Sequence, residues 1–269
     1  MRLPHASARD LSYSAVFRAN VIMIAASRSA FFFAFASCLP LAGCLVSFED
    51  YPVGNLTQAA GGTAPASGTA GGEAPAPTFP IDDFEDGDNQ VLLLAGRDGY
   101  WFTSNDGSSP GKQTPDPRAP ANPELLVPPH GASTRAMHTT GSGFNIWGAL
   151  VGLNFHADGT GALPYNVGAY QGLTFSAKLG RNGAMSKARV ALTSYDTLYG
   201  CTVCDDHFGT TVTVGAEFQT IRVAFADLKQ AGFGKPLLPT FDATRVYALQ
   251  LSWTKGQVFD LWIDDIGFY

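Results

Sequence analysis

Residues 81–269 are predicted to form an all-β sandwich or jelly roll. Two observations carry this expectation. Short runs of alternating polar and apolar residues recur along the segment, and clusters of Gly, Pro, Asn and Asp separate them. Helical patterning is confined to one short stretch, so no helices alternate with the strands as a parallel sheet would need.

The elements follow in order. Ile81 to Asp88 is acidic, and Gly99-Tyr100-Trp101-Phe102 follows as an aromatic strand. On that strand Tyr100 and Phe102 face one way and Trp101 and Thr103 the other, because side chains alternate across a strand. Trp147 to Phe155 is a nearly continuous apolar strand. Gly172 to Ala177, Lys187 to Thr193 and Phe218 to Val223 alternate with period two. Phe225 to Ala231 reads as a turn or two of helix. Arg245 to Trp253 alternates again, with Tyr247, Leu249, Leu251 and Trp253 on one face. Phe259 to Phe268 closes the series.

Composition narrows the function. The chain has 269 residues, 45% of them hydrophobic and 15% charged, with a formal net charge of -6. That is enough to build a core, and no basic stripe offers itself to nucleic acid. Ser, His and Asp occur without a serine nucleophile elbow, and no H-E-x-x-H is present. Carboxylates are numerous but identify no glycosidase pair by count. The expectation is a protein that is not an enzyme.

Ahead of this domain stands Arg28, an apolar run from Ser29 to Ala36, Cys38 and Pro40, then Leu41-Ala42-Gly43-Cys44. A basic flank, a short apolar core and small residues before a cysteine make an export signal. Counted on through Ala42 the apolar stretch is about 14 residues, where a spanning helix needs roughly 20. A start at Met23 rather than Met1 gives the signal an ordinary size. The ending resembles the lipobox of bacterial lipoproteins, with Leu41 three positions before the cysteine. The resemblance implies cleavage before Cys44, a lipid on its sulfur, and attachment to a membrane of the bacterial cell envelope. Leu45, rather than Asp, follows; by the sorting rule of enteric bacteria this favours the outer membrane. Three regions result: a signal peptide over 1–43, a lipidated cysteine with an Ala/Gly/Pro/Thr-rich linker over 44–80, and the β domain over 81–269. The linker lacks the apolar side chains to offset chain entropy.

With Cys38 lost and Cys44 lipidated, Cys201 and Cys204 remain. A disulfide is expected in an oxidising compartment, where it staples the loop and orders a binding rim. Zinc held by Cys201, Cys204 and His207 needs a fourth ligand that spacing does not identify. A redox dithiol needs a helix after Cys204, and none is read there.

Two segments, Ile81-Asp82-Asp83-Phe84-Glu85-Asp86-Gly87-Asp88 with Gly99 to Phe102, and Phe259-Asp260-Leu261-Trp262-Ile263-Asp264-Asp265-Ile266-Gly267-Phe268, resemble carbohydrate-binding modules of the galactose-binding-like jelly-roll type, family 11 nearest. The resemblance covers essentially all of 81–269. It implies first and last strands side by side, and a structural calcium there near Glu85 and Asp264, with Asp83 beside them. Calcium takes 6–8 oxygens, which carboxylates and carbonyls supply. It also implies a polysaccharide partner of β-glucan type. Sugars are gripped by an aromatic face with polar groups at the hydroxyls. The candidates are Trp101 with Asn105 and Asp106; His138 and Trp147 on neighbouring strands; and Tyr195 and Tyr199 with Asp206 and His207. The alternative is a structural or adhesive envelope lipoprotein that uses the jelly roll without binding sugar, since fold does not fix function.

Overall fold

The computed structural model describes residues 79–180 and 185–269. The leader, Cys44 and the linker to residue 78 fall outside the described residues.

The described chain is a jelly-roll β-sandwich of two antiparallel sheets. The large sheet has the lateral order β12 (Gln219–Ala224), β9 (Gly172–Leu179), β14 (Phe259–Phe268), β5 (Ser133–Ser142), β3 (Lys112–Thr114). β1 (Phe79–Asp82) also pairs with β14, and β4 (Glu124–His130) with β5. The small sheet runs β11 (Phe208–Thr213), β10 (Lys187–Ser194), β13 (Val246–Thr254), β6 (Gly148–Asn154), β2 (Trp101–Asn105). A separate hairpin joins β7 (His156–Asp158) to β8 (Gly161–Leu163). Phe79 pairs with Phe268, so the first and last strands lie side by side. Among the described residues no helix is long and apolar enough to cross a membrane.

Alternation builds the core. Ala149, Val151 and Leu153 of β6 and Leu249, Leu251 and Trp253 of β13 point inward. Phe175, Leu261, Ile263 and Phe268 of the large sheet meet them. Trp253 stacks on Phe259 at 4.0 Å and 7°, joining the two sheets. Burial of these aliphatic and aromatic side chains supplies the main driving force for the sandwich.

Three expectations need correction. Trp101 belongs to the core: it is 1% exposed, its ring lies 5.1 Å from that of Phe84, and its indole N–H donates to Asp82 Oδ2 at 2.7 Å. Of the two faces of β2, the Trp101/Thr103 face turned inward, so Trp101 presents no platform to a sugar. The helical stretch after Ala224 shrinks to a single 3-10 turn, Phe225–Asp227, while an unforeseen helical turn, α1 (Tyr195–Leu198), follows β10. Ser194 and Thr197 bond reciprocally at its start, which is why the chain turns there. His138 and Trp147 do not share neighbouring strands; His138 is on β5 of the large sheet, and Trp147 leads into β6 of the small one.

Candidate functional site

The outward face of the small sheet is where residues that the core does not use collect. One lateral row reads Gly209, Ala191, Gln250, Gly152, Phe102, each the register partner of the next. The row towards α1 holds Thr193, Ala248 and Asn154, and the row on the other side holds Thr211, Arg189, Ser252, Leu150 and Ser104. The central residues are small, so the face is low in the middle and spans about 19 Å across five strands at about 4.8 Å each. Gly152 is needed here: a Cβ would stand 2.9 Å from Phe102 Cζ and 2.6 Å from Leu249 O, so only glycine lets the Phe102 ring lie across the sheet.

Gln250 sits at the centre of this floor, 6% exposed. Among the described residues its amide makes no hydrogen bond, and it is not among the polar atoms sealed from solvent. A recessed amide with donor and acceptor both unspent is matched by a ligand hydroxyl, which offers both. Beside it Tyr100 hydrogen-bonds the Asn154 side chain, and burial pushes the Tyr100 phenol pKa up.

Tyrosines mark the α1 end of the floor. Tyr199 is 54% and Tyr195 38% exposed. Their ring centroids are 5.9 Å apart, and Tyr199 meets Tyr247 edge-on at 5.4 Å. The Arg245 guanidinium lies 4.5 Å over the Tyr195 ring and is held by Asp242 at 3.2 Å and Asp196 at 3.4 Å. Strict alternation put Tyr247 on the buried face of its strand. The pairing instead steps from Thr193↔Ala248 to Ser194↔Val246, so Tyr247 is the extra residue of a bulge and turns towards Tyr199.

Beyond β11 the segment from Lys229 forms a rim, bonded through both main-chain groups to Gly209. Asp206 organises it by accepting the N–H groups of Ala231, Gly232 and Gly234 at 2.6–2.9 Å. Arg189 donates to the carbonyls of His207 and Lys229. His207 is buried with Nδ1 2.9 Å from Thr197 Oγ1, and burial holds its pKa down at about 4. Asp206 and His207 therefore shape the rim from beneath and are not presented to a ligand. Cys201 and Cys204 are joined as a disulfide. With both sulfurs bonded to each other, the zinc reading with His207 falls away.

The other sequence candidates lie elsewhere. Asn105 is spent within its turn, donating to Gln113 Oε1 and accepting from Gly107 N. Asp106 accepts from Ile146, Trp147 and Gly148 N–H, each at 2.9 Å, which also ties down Trp147. Burial raises the Asp106 pKa, but bonds from Ser108 and the backbone outweigh it and hold it low. His138 stacks on Trp262 at 4.0 Å with its nitrogens 3.0 Å from Glu124 and 2.9 Å from Asp260, on the outward face of the large sheet. One sequence expectation is corrected here: Gly107-Ser108-Ser109-Pro110-Gly111 does carry the G-x-S-x-G spacing, but it joins β2 to β3 with no helix after it, so it does not form a nucleophile elbow.

Near the β1–β14 pair stand the acids expected to hold calcium. Asp264 is 0% exposed; Oδ1 accepts the Asp265 N–H and Oδ2 is sealed without a hydrogen-bond partner. Burial, then the charge of Asp265, pushes its pKa up to about 7. Glu85 repels it, but both Glu85 oxygens already accept from Thr134 and Arg135. Asp83 caps Glu85 N at 3.3 Å. Among the described residues no three His, Cys, Asp or Glu converge as a metal cage. The orphaned Asp264 oxygen fits a cation; Glu85 and Asp83 would have to exchange the bonds they now make.

The described residues thus form a β-sandwich whose small sheet turns outward a floor of small residues around Gln250, with tyrosines at its α1 end. No family model matches the chain, and no curated protein matches it in sequence. Among solved structures it is similar to a family 11 carbohydrate-binding module from Clostridium thermocellum, determined with a β-1,3-1,4-mixed-linked tetrasaccharide: TM-score 0.47, 14% identity, 72% of this chain and 96% of that one covered. It is also similar to a family 30 module of a cellulosomal cellulase of Clostridium thermocellum, at TM-score 0.42, 16% identity, and 63% and 90% coverage.

Proposed function

We propose that this chain is a non-catalytic carbohydrate-binding lipoprotein of the bacterial cell envelope. It holds a β-glucan-type polysaccharide along the outward face of the small sheet, and a lipid on Cys44 holds it to a membrane, the outer one by its Leu45. The observation that carries the sugar reading is the unspent Gln250 amide on a floor of small residues, with Tyr199 exposed at its end. Tyrosine rings would cover the C–H faces of sugar rings, and Gln250, Asn154 and Ser252 would meet hydroxyls. A calcium at Asp264, with Glu85, would stiffen the sandwich away from the groove.

Tyr199→Ala is expected to weaken binding about tenfold, the worth of roughly one aromatic contact, with an unchanged thermal midpoint. Affinity electrophoresis in soluble mixed-linkage β-glucan measures it. If Tyr199→Ala and Gln250→Ala both migrate as wild type does in glucan, the groove is not the site. Wild type retarded by no polysaccharide would return the structural or adhesive reading.

Cys44→Ser is expected to move the protein from the membrane fraction to the soluble one. Persistence in membranes after a carbonate wash would rule out the lipid anchor.

A further inference from the structure

We propose that the Cys201–Cys204 disulfide is a positioning clamp for the ligand rim rather than a stabiliser of the fold; this rests on the groove reading above. The two cysteines are three apart in sequence. A ring that short removes little freedom from the unfolded chain, so its global effect is small. Both cysteines are half-buried at the surface, outside the core cluster.

Locally the clamp has a defined job. The chain leaves α1 with Tyr199 N and Gly200 N both donating to Tyr195 O. It returns with Asp205 N donating to Thr197 O, and Asp205 adopts a positive φ of 70° to do so. Aspartate is among the few L-residues that take this left-handed conformation readily, so it suits the turn that brings the chain back. Between these anchors the disulfide brackets Thr202 and Val203. Thr202 N and Val203 N donate to Lys235 O at 2.9 and 3.4 Å, and Lys235 N donates to Val203 O at 2.9 Å. This rung ties the Tyr199 loop to the rim that Asp206 organises. Opening the disulfide frees Thr202 and Val203 to swing away, and Tyr199, two residues before Cys201, loses a restraint on the chain that carries its ring beside Tyr247.

The test compares oxidised and reduced full-length protein in detergent micelles. A dithiol breaks the S–S bond, delivers two electrons and two protons to give two thiols, and leaves as its own cyclic disulfide. Reduction is expected to raise amide exchange at Thr202, Val203 and Lys235 and to weaken binding of mixed-linkage β-glucan about tenfold. The urea midpoint should barely move. In a Tyr199→Ala background reduction should cost no further affinity, because both changes remove one contact. A Cys201→Ser/Cys204→Ser variant should match the reduced protein.

Unchanged exchange at those three amides overturns the clamp and leaves the groove reading standing. Unchanged affinity, or equal loss in wild type and Tyr199→Ala, overturns the link to the ligand. A midpoint that collapses on reduction makes the disulfide a stabiliser of the fold. If oxidised protein binds no glucan, the groove reading fails and the ligand role with it, while the exchange data still decide whether the clamp orders the loop.

Discussion

Trp101→Ala is expected to destabilise the domain by about 3–5 kcal/mol, the usual cost of deleting a buried tryptophan side chain. The ring fills space between Phe84 and the core, and its N–H meets the Asp82 carboxylate. Asp82 is itself buried, and that burial pushes its pKa up to about 7, so losing the indole donor leaves a buried acid with one bond, from Phe84 N. Trp101→Phe separates the two contributions. It keeps most of the apolar contact and should cost about 1–3 kcal/mol, chiefly for the unpaired Asp82 oxygen. Urea unfolding followed by far-ultraviolet circular dichroism measures both. A Trp101→Ala protein with a wild-type midpoint and lost glucan binding would put the ring back on the surface as a platform.

Asp264→Asn is expected to stabilise the calcium-free protein at pH 8 and to abolish its response to calcium. The sign follows from the direction of the shift. The folded pKa of Asp264 is raised from 3.8 to about 7. Below the unfolded value both states hold the proton, and the group is neutral in each. Between the two values the fold keeps a proton that the unfolded chain has released, so stability falls as pH rises through this window. Above about 7 the loss is complete, several kcal/mol at about 1.4 kcal/mol per unit. Asp82 acts in the same direction. His207 acts oppositely: its pKa is lowered from 6.5 to about 4, so its contribution rises with pH between those values. The difference between wild type and Asp264→Asn isolates one carboxylate from this mixture. In chelator the variant should gain on wild type from pH 5 to pH 8. At pH 8, calcium at a hundredfold excess over Kd should restore about 2.7 kcal/mol to wild type and nothing to the variant. Equal calcium responses would place the ion elsewhere. A variant less stable than wild type at pH 8 in chelator would show that the buried carboxylate is not a burden to the fold.

Much of the architecture is written in local pattern. Alternation over Lys187–Thr193, Gly172–Ala177 and Phe218–Val223 predicts strands that the structure extends by a residue or two at their C-terminal ends. That legibility has a simple cause, since period-two patterning is a property of neighbouring residues along one strand. The disulfide was legible for a similar reason: Cys201 and Cys204 are three apart in sequence.

The site was less legible. Alternation split β2 into Tyr100/Phe102 and Trp101/Thr103 but could not say which set faces inward. That depended on the second sheet, whose strands come from residues far along the chain. Alternation alone places Tyr247 on the wrong face, because a bulge reverses side-chain direction without altering composition. Gln250 looked like any polar residue in an alternating strand. Its place at the centre of a floor exists only because β6 and β10, distant in sequence, flank β13. Local pattern set that there would be strands and where they would fall, and placed Cys201 and Cys204 within bonding reach of each other. Which aromatic rings became core, and which amides stayed without an intramolecular partner, was settled by packing, because burial depends on what packs across from a face, and that partner is set by long-range pairing.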